Sequence, residues 1–293
     1  MPSHLQKAEA PDRAIRRVCR EHIAKALFRL RRSLHPATVH VVRKEIKKLR
    51  AILRLVHGHT NAGVQEKLEQ SLRRAGRQLA ASRDARVIFK AFEKLAGSHA
   101  KKNYPHLHKA LEKHCREESR RFRHDDSSVQ ATKIFQKAAR RLAHLKVKET
   151  GWAAFEPGLQ QSYRQGEYAA ILARAKKSAD HYHDWRKHVK TLLYQIRLLC
   201  PEWPAVGRSL LTKLDRLATA LGEDHDLALL KDFASNHDQS KEVRPLIRLI
   251  QSRQKSLRTT ALKLGSQLYR EPPTSFTTRL QKPWSTWHAK KTK

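Results

Sequence analysis

The sequence predicts an all-helical fold, on three observations. Apolar residues recur at spacings of three and four along almost the whole chain, alternating runs are scarce, and glycine and proline number only 10 and 11 in 293 residues. Helices are expected at about 12–34, 38–57, 62–81, 84–96, 104–122 and 129–146, and again at 157–176, 179–200, 205–221, 224–236 and 242–269. Breaks fall at His35-Pro36, at Gly58, around Asp125 to Ser128, and from Cys200-Pro201 to Trp203-Pro204. Residues 1–11 read as an N-terminal tail. The basic stretch 271–293, with Pro272, Pro273 and Pro283, reads as a poorly ordered tail anchored only by Trp284 and Trp287.

Charge is the strongest compositional signal. The chain carries 62 Lys plus Arg against 27 Asp plus Glu, a formal charge of +35, while its 39% hydrophobic content is enough for a globular body. A compact body so charged repels itself, and an anionic partner relieves this by neutralising cations and releasing counterions. Nucleic acid, polyphosphate and anionic lipid are the candidate classes. No apolar run approaches the roughly 20 residues that span a bilayer, and Met1 to Ala10 lacks the order of a secretory signal, so the expectation is a cytoplasmic protein without membrane insertion. Cys19, Cys115 and Cys200 are scattered without C-x-x-C spacing, which suits reduced thiols. The eighteen histidines show no metal-ligand spacing, so neither metal nor cofactor is expected.

The chain repeats itself. His40-x-x-Arg43-Lys44-x-x-Lys47 returns as His183-x-x-Arg186-Lys187-x-x-Lys190, offset by 143 residues. Leu79-Ala80-Ala81-Ser82-Arg83-Asp84 aligns with Leu221-Gly222-Glu223-Asp224-His225-Asp226 at an offset of 142. Two helical halves of similar plan follow, about 12–150 and 157–270, meeting near Gly151 to Gly158 and packed as a pseudo-symmetric pair.

Helical geometry sorts each repeat into two faces. His40, Arg43, Lys44, Lys47 and Arg54 share one side of the first helix, with Arg50 and Lys48 flanking, while Val42, Ile46, Leu49, Leu53 and Val56 lie opposite. In the second, His183, Arg186, Lys187, Lys190, Tyr194 and Arg197 share a side, opposed by Trp185, Val189, Leu192, Ile196 and Leu199. From His40 to Arg54 the basic stripe runs on the order of 20 Å. Solvated helix faces ordinarily interleave acids at i, i+4, and these stripes are read as carrying none, so a ligand is needed to offset their repulsion. Arginine forks hold two phosphate oxygens, lysine supplies a point charge, and histidine gains its proton beside phosphate.

These residues resemble the CHAD family. His40-x-x-Arg43-Lys44-x-x-Lys47-Lys48-Leu49-Arg50 is similar to its first signature and His183-Asp184-Trp185-Arg186-Lys187-x-x-Lys190-x-x-x-Tyr194 to its second. Arg83-Asp84 and Leu221-Gly222-x-x-x-Asp226 are similar to the segments that follow each, and Tyr163-Arg164-Gln165-Gly166 to the start of the second half. The likeness covers about Asp12 to Leu268. It implies two four-helix bundles related by a pseudo-twofold, with a basic central groove or pore that binds inorganic polyphosphate, and brings Arg164 to its edge. Glu167 departs from the family, which often has a basic residue there. No triphosphate-tunnel domain fits in the chain, so a stand-alone module is implied.

Further basic clusters extend the stripes: Arg16 and Arg20 with Arg13 and Arg17, Arg73 and Arg77 with Lys67 and Arg74, and Lys213 with Arg216 in the second half. Asp84 and Asp226 are expected at helix starts, capping amides or holding a groove arginine. No catalytic residue is assigned. Metal-assisted hydrolysis needs a carboxylate-rich cluster that the stripes lack, and no phosphate loop or nucleophilic triad occurs. The reading is a non-catalytic polyphosphate binder in the cytoplasm or on polyphosphate granules. Its rivals are a nucleic-acid-binding protein, disfavoured by 6% aromatic residues that form no stacking platform, and a granule-associated scaffold.

Overall fold

The structure is a computed structural model that describes residues 4–32, 36–79, 81–124, 126–199, 205–237 and 243–289. Twelve α-helices account for nearly all of the described residues: α1 (Pro11–Arg32), α2 (Pro36–Leu55), α3 (Ala62–Gln78), α4 (Ala81–Ala96), α5 (Ala100–Asn103), α6 (Pro105–His124), α7 (Ser127–Leu142), α8 (Glu156–Lys176), α9 (Ala179–Leu199), α10 (Ala205–His237), α11 (Val243–Leu268) and α12 (Pro273–Ala289). The described residues contain no strand, only an antiparallel bridge between Thr60 and Val147. Proline opens α1, α2, α6 and α12, where its missing N–H costs nothing and its fixed φ suits the helix.

Two sets of four helices form the body. In the first, α1 packs on α2, α2 on α3, α3 on α7 and α7 back on α1. In the second, α8, α9, α10 and α11 follow one another, and α11 returns to α8. The α4–α6 pair leans on α10, and α2 joins the sets by packing against both α9 and α8. The α2–α8 approach depends on Gly158, where a Cβ would overlap the Leu55 carbonyl. The apolar faces expected of α2 and α9 are all buried: Val42, Ile46, Leu49, Leu53 and Val56 on one, Trp185, Val189, Leu192, Ile196 and Leu199 on the other.

Two local expectations are corrected. The break near Gly222 is absent, because α10 runs unbroken from Ala205 to His237 with Leu221, Gly222 and Asp224 buried by their neighbours. Asp226 is therefore mid-helix and not at a helix start, whereas Asp84 does sit in the first turn of α4. The segment after Arg270 is the helix α12, since Phe276, Leu280, Trp284 and Trp287 form one apolar stripe and Pro273 takes the helix-compatible first position. Tyr163 fastens this end: its hydroxyl lies 2.9 Å from the carbonyls of both Leu268 and Glu271, and its ring stacks on Phe276 at 4.3 Å. Residues 4–10 are tied down as well, with Leu5 buried and the Ala8 amide donating to the His288 carbonyl at 3.0 Å. Burial pushes the Cys19 thiol up to about 12, as suits a core hydrophobe, while Cys200 lies outside the described residues.

Candidate functional site

α2 and α9, the helices that carry the basic repeat, cross near Ala51 and Gln195. The Gln195 side chain donates to the Ala51 carbonyl at 3.1 Å, and Ala51, Ile52 and Gln195 are buried at the crossing. Tyr194, expected on the basic side, is buried there too. The crossing therefore interrupts the stripes. His40 and Lys44 stay exposed on α2, as do Lys187 and Arg197 on α9, while Arg43, Lys47, Arg50, Arg54, His183, Arg186 and Lys190 are half-buried.

The paired arginines take similar positions in their own halves. Arg43 donates from Nη1 to the Gly76 carbonyl of α3 at 2.9 Å, and Arg186 lies against Gly222 of α10. Arg54 crosses to α9, its Nη1 3.3 Å from Thr191 Oγ1.

Cations of the two helices act on one another. Burial, with help from Lys187, Arg186 and Lys47, depresses the His183 imidazole to about 4, against the ordinary 6.5. Its Nδ1 is buried with no hydrogen-bond partner among the described residues, and its ring lies 3.9 Å from that of His225 on α10. Burial also lowers Lys190, followed by Arg186, Arg197 and Lys44. Arg50 is lowered by burial, Arg54 and Arg73. Lys47, Arg186 and Lys187 thus surround His183, Lys44 and Arg186 lie near Lys190 with Asp215 partly offsetting them, and Arg50, Arg54 and Arg73 form a second cationic group.

The expectation that the stripes carry no acid is overturned. Asp184, one turn before Lys187, lies 3.3 Å from its Nζ and 3.5 Å from His188 Nε2. Arg197 reaches both oxygens of Asp215 on α10 at 2.6 Å. Behind the first stripe, buried Glu45 pairs with buried His22 and with Lys48 at 2.9 Å. Burial alone would raise the Glu45 carboxyl, but the hydrogen bonds from His22 and Lys48 hold it at about 2.

The outlying candidates are more scattered. Arg16 is paired with Asp12, and Arg73 lies 3.4 Å from Glu69. Arg20, Arg77, Arg164 and Arg216 are exposed. Lys213 lines a cleft with Arg270, Glu271 and Arg279. Sequence reasoning missed His188, Thr191 and His225, since it sorted α2 and α9 face by face and His225 reaches the site only through packing. The described residues contain no group of three or more His, Cys, Asp and Glu placed to hold a metal, and no helix among them is long and apolar enough to cross a membrane.

Fold and site define an all-α protein whose two repeated cationic helices pack together at the junction of its helix sets. The chain belongs to the CHAD domain family, which it matches over residues 14–235. The fold is similar to the crystal structure of the CHAD domain from the plant Ricinus communis, with a TM-score of 0.61 and 18% identity over 94% of this chain and 93% of that one. PptA from Streptomyces chartreusis is similar at the same TM-score of 0.61, with 12% identity over 86% of this chain and 96% of the other. No curated protein matches the sequence.

Proposed function

We propose that the protein binds inorganic polyphosphate non-catalytically along the cationic faces of α2 and α9. One observation carries this reading: the two helices that bear the basic repeat are in direct contact, Gln195 of α9 donating to the Ala51 carbonyl of α2 at 3.1 Å and Arg54 of α2 lying 3.3 Å from Thr191 of α9, so the cations of the two repeats share one field. Such a field crowds like charges across two packed helices, and a linear polyanion relieves that crowding. Family membership supports the choice of polymer. The halves 12–150 and 157–270, each with its own four packed helices, are read as pseudo-twofold partners, and the groove as the space along the α2–α9 crossing. The same reading is of a cytoplasmic protein, free or associated with polyphosphate granules.

The test ranks long-chain polyphosphate, duplex DNA, RNA and pyrophosphate at one moderate salt concentration. Polyphosphate is expected to bind tightest, with log affinity falling steeply against log salt as each contacted phosphate releases counterions. Tighter binding of duplex DNA would make this a nucleic-acid-binding protein. Incubation with polyphosphate and Mg²⁺ is expected to leave the chain length unchanged, and metal-dependent shortening lost in Asp226→Asn would make it an enzyme.

A further inference from the structure

Away from the α2–α9 crossing, the N-terminal end of α9 meets α10 and α11 around a cavity of about 590 Å³. Four cations line it, Lys177, Lys231, Lys255 and Arg258, against one acid, Asp232. Basic side chains are common on a chain of charge +35, so their number alone decides nothing. The cleft between α4 and α6 also carries a cationic excess, Arg86, Lys90 and Arg116 against Glu93 and Glu112, so an excess by itself marks no site.

What distinguishes the α9–α11 cavity is that its central cation is fixed. Arg258 donates from Nε to Asp224 at 2.8 Å, and the Asp224 side chain is only 2% exposed. It donates from Nη1 to the Lys177 carbonyl at 3.2 Å, and its guanidinium lies 4.6 Å above the centre of the Tyr182 ring. An arginine held on three sides has already lost the side-chain freedom that an anion would otherwise have to immobilise. Lys177 itself closes α8 in the left-handed conformation, φ 54°, which the lysine side chain rarely adopts. The remaining wall is neutral: Ala179, Ala228 and Leu262, with Gln251 and Gln254. The volume lies within the range of small-molecule sites.

We propose that this cavity is a second, separate binding site, and that it takes a phosphorylated organic molecule of nucleotide size, with phosphates on Arg258, Lys231 and Lys255 and the organic part along the neutral wall. The assignment is independent of polyphosphate binding at α2 and α9.

Calorimetric titration with ATP and with tripolyphosphate, at about 0.15 M salt to screen long-range attraction, tests it in the full chain. ATP is expected to bind at one saturable site, with tenfold or greater loss in Lys231→Gln/Lys255→Gln. Lys101→Gln/Lys102→Gln, which removes as much charge from exposed positions, is expected to change ATP affinity less than twofold, as is Lys44→Gln/Lys187→Gln in the stripes. Equal losses in all three variants would assign ATP to bulk charge, and loss confined to the last would assign it to the stripes; either overturns the site. Tripolyphosphate binding as tightly as ATP in the Lys44→Gln/Lys187→Gln variant, and losing as much as ATP does in Lys231→Gln/Lys255→Gln, would overturn the organic ligand. A chain that binds ATP at no saturable site but still binds polyphosphate would remove this inference and leave the proposed function standing.

Discussion

At position 41 of α2 stands Val41; 143 residues on, at the matching position of α9, stands Asp184. That exchange summarises how the two basic stripes differ. On α2, Lys44 is exposed and the nearby acid, Glu45, is buried behind the stripe with His22 and Lys48. On α9, Lys187 is drawn to Asp184 and Arg197 to Asp215, while His183 and Lys190 are desolvated. Arg54 and Arg197 also match, yet Arg54 donates to Thr191 whereas the residue matching Thr191 is Lys48, which cannot accept. Arg197 turns to Asp215 instead. One sequence pattern has thus produced one stripe whose neighbouring acid, Glu45, is buried behind it and one whose exposed Lys187 and Arg197 are each held by a carboxylate, and the partners on neighbouring helices make the difference.

The largest effect should come from removing both stripes at once. Arg43→Ala, Lys44→Ala, Arg186→Ala and Lys187→Ala together delete four cations; Lys101→Ala, Lys102→Ala, Lys113→Ala and Lys137→Ala delete four exposed ones elsewhere. Each lost hydrogen bond to phosphate is worth about 1.5 to 3 kcal/mol, so the first variant should lose polyphosphate affinity by orders of magnitude while the second loses little. Equal losses, measured by equilibrium binding on variants checked for helicity, would reduce both stripes to bulk charge.

The buried acid behind the first stripe sets the next effect. Glu45→Gln removes one partner of a buried pair and should lower unfolding free energy by about 3 kcal/mol. His188 occupies the matching position on α9, half-buried beside exposed Asp184, and His188→Gln should cost no more than about 1 kcal/mol. The Glu45 carboxyl has a folded pKa of about 2 against an ordinary 4.5. Its contribution is therefore present above about pH 4.5 and lost as pH falls towards 2. Denaturant unfolding at pH 7 and pH 3 checks both points, and equal losses in the two variants would erase the asymmetry.

How much of this was legible follows from where each signal lives. The apolar faces of α2 and α9 could be read because Val42 to Val56 and Trp185 to Leu199 keep helical spacing within one element, and every residue assigned to them is buried. The repeat marked which helices matter for the same reason. Asp215 could not be assigned to Arg197, nor His225 to His183, because those partners come from α10 through tertiary packing. Asp184 was within reach, since its spacing to Lys187 and His188 is local; it was passed over because it sits beside the cationic face. The gap between 221 and 224 and the unstructured reading of the Pro-containing stretch after Arg270 came from local propensity, which packing of α10 and α12 overrode.

Freeing the second stripe of its acids should make it behave like the first. Asp184→Asn releases Lys187, and Asp215→Asn releases Arg197. Exposed ion pairs of this kind are worth up to about 1 kcal/mol, so each change should tighten polyphosphate binding by up to about fivefold. The salt dependence should steepen as well, because each freed cation can displace a further counterion. Unchanged affinity and slope in the double variant would show that α9 takes no part in binding.

The smallest effect concerns the proton on His183, which is half-buried where the matching His40 of α2 is exposed. In the unliganded protein His183 faces Lys187, Arg186 and Asp184 on its own helix, Lys47 on α2 and the His225 ring on α10. Burial and the surrounding cations keep it neutral down to about pH 4. A phosphate lying among those cations offsets their repulsion and favours the imidazolium, so the bound state holds more protons than the free state. Binding must then tighten as pH falls. With a rise of about one unit on binding, affinity gains about twofold at pH 5 relative to pH 7. Long polyphosphate is the right probe, because its many internal phosphates remain charged across this range and only its ends titrate. His183→Gln should bind slightly more weakly at pH 5 and lose this part of the pH dependence, while His40→Gln keeps it. The same pH profile in wild type and His183→Gln would mean that the phosphates never approach the α9 imidazole, and that polyphosphate follows the α2 stripe alone.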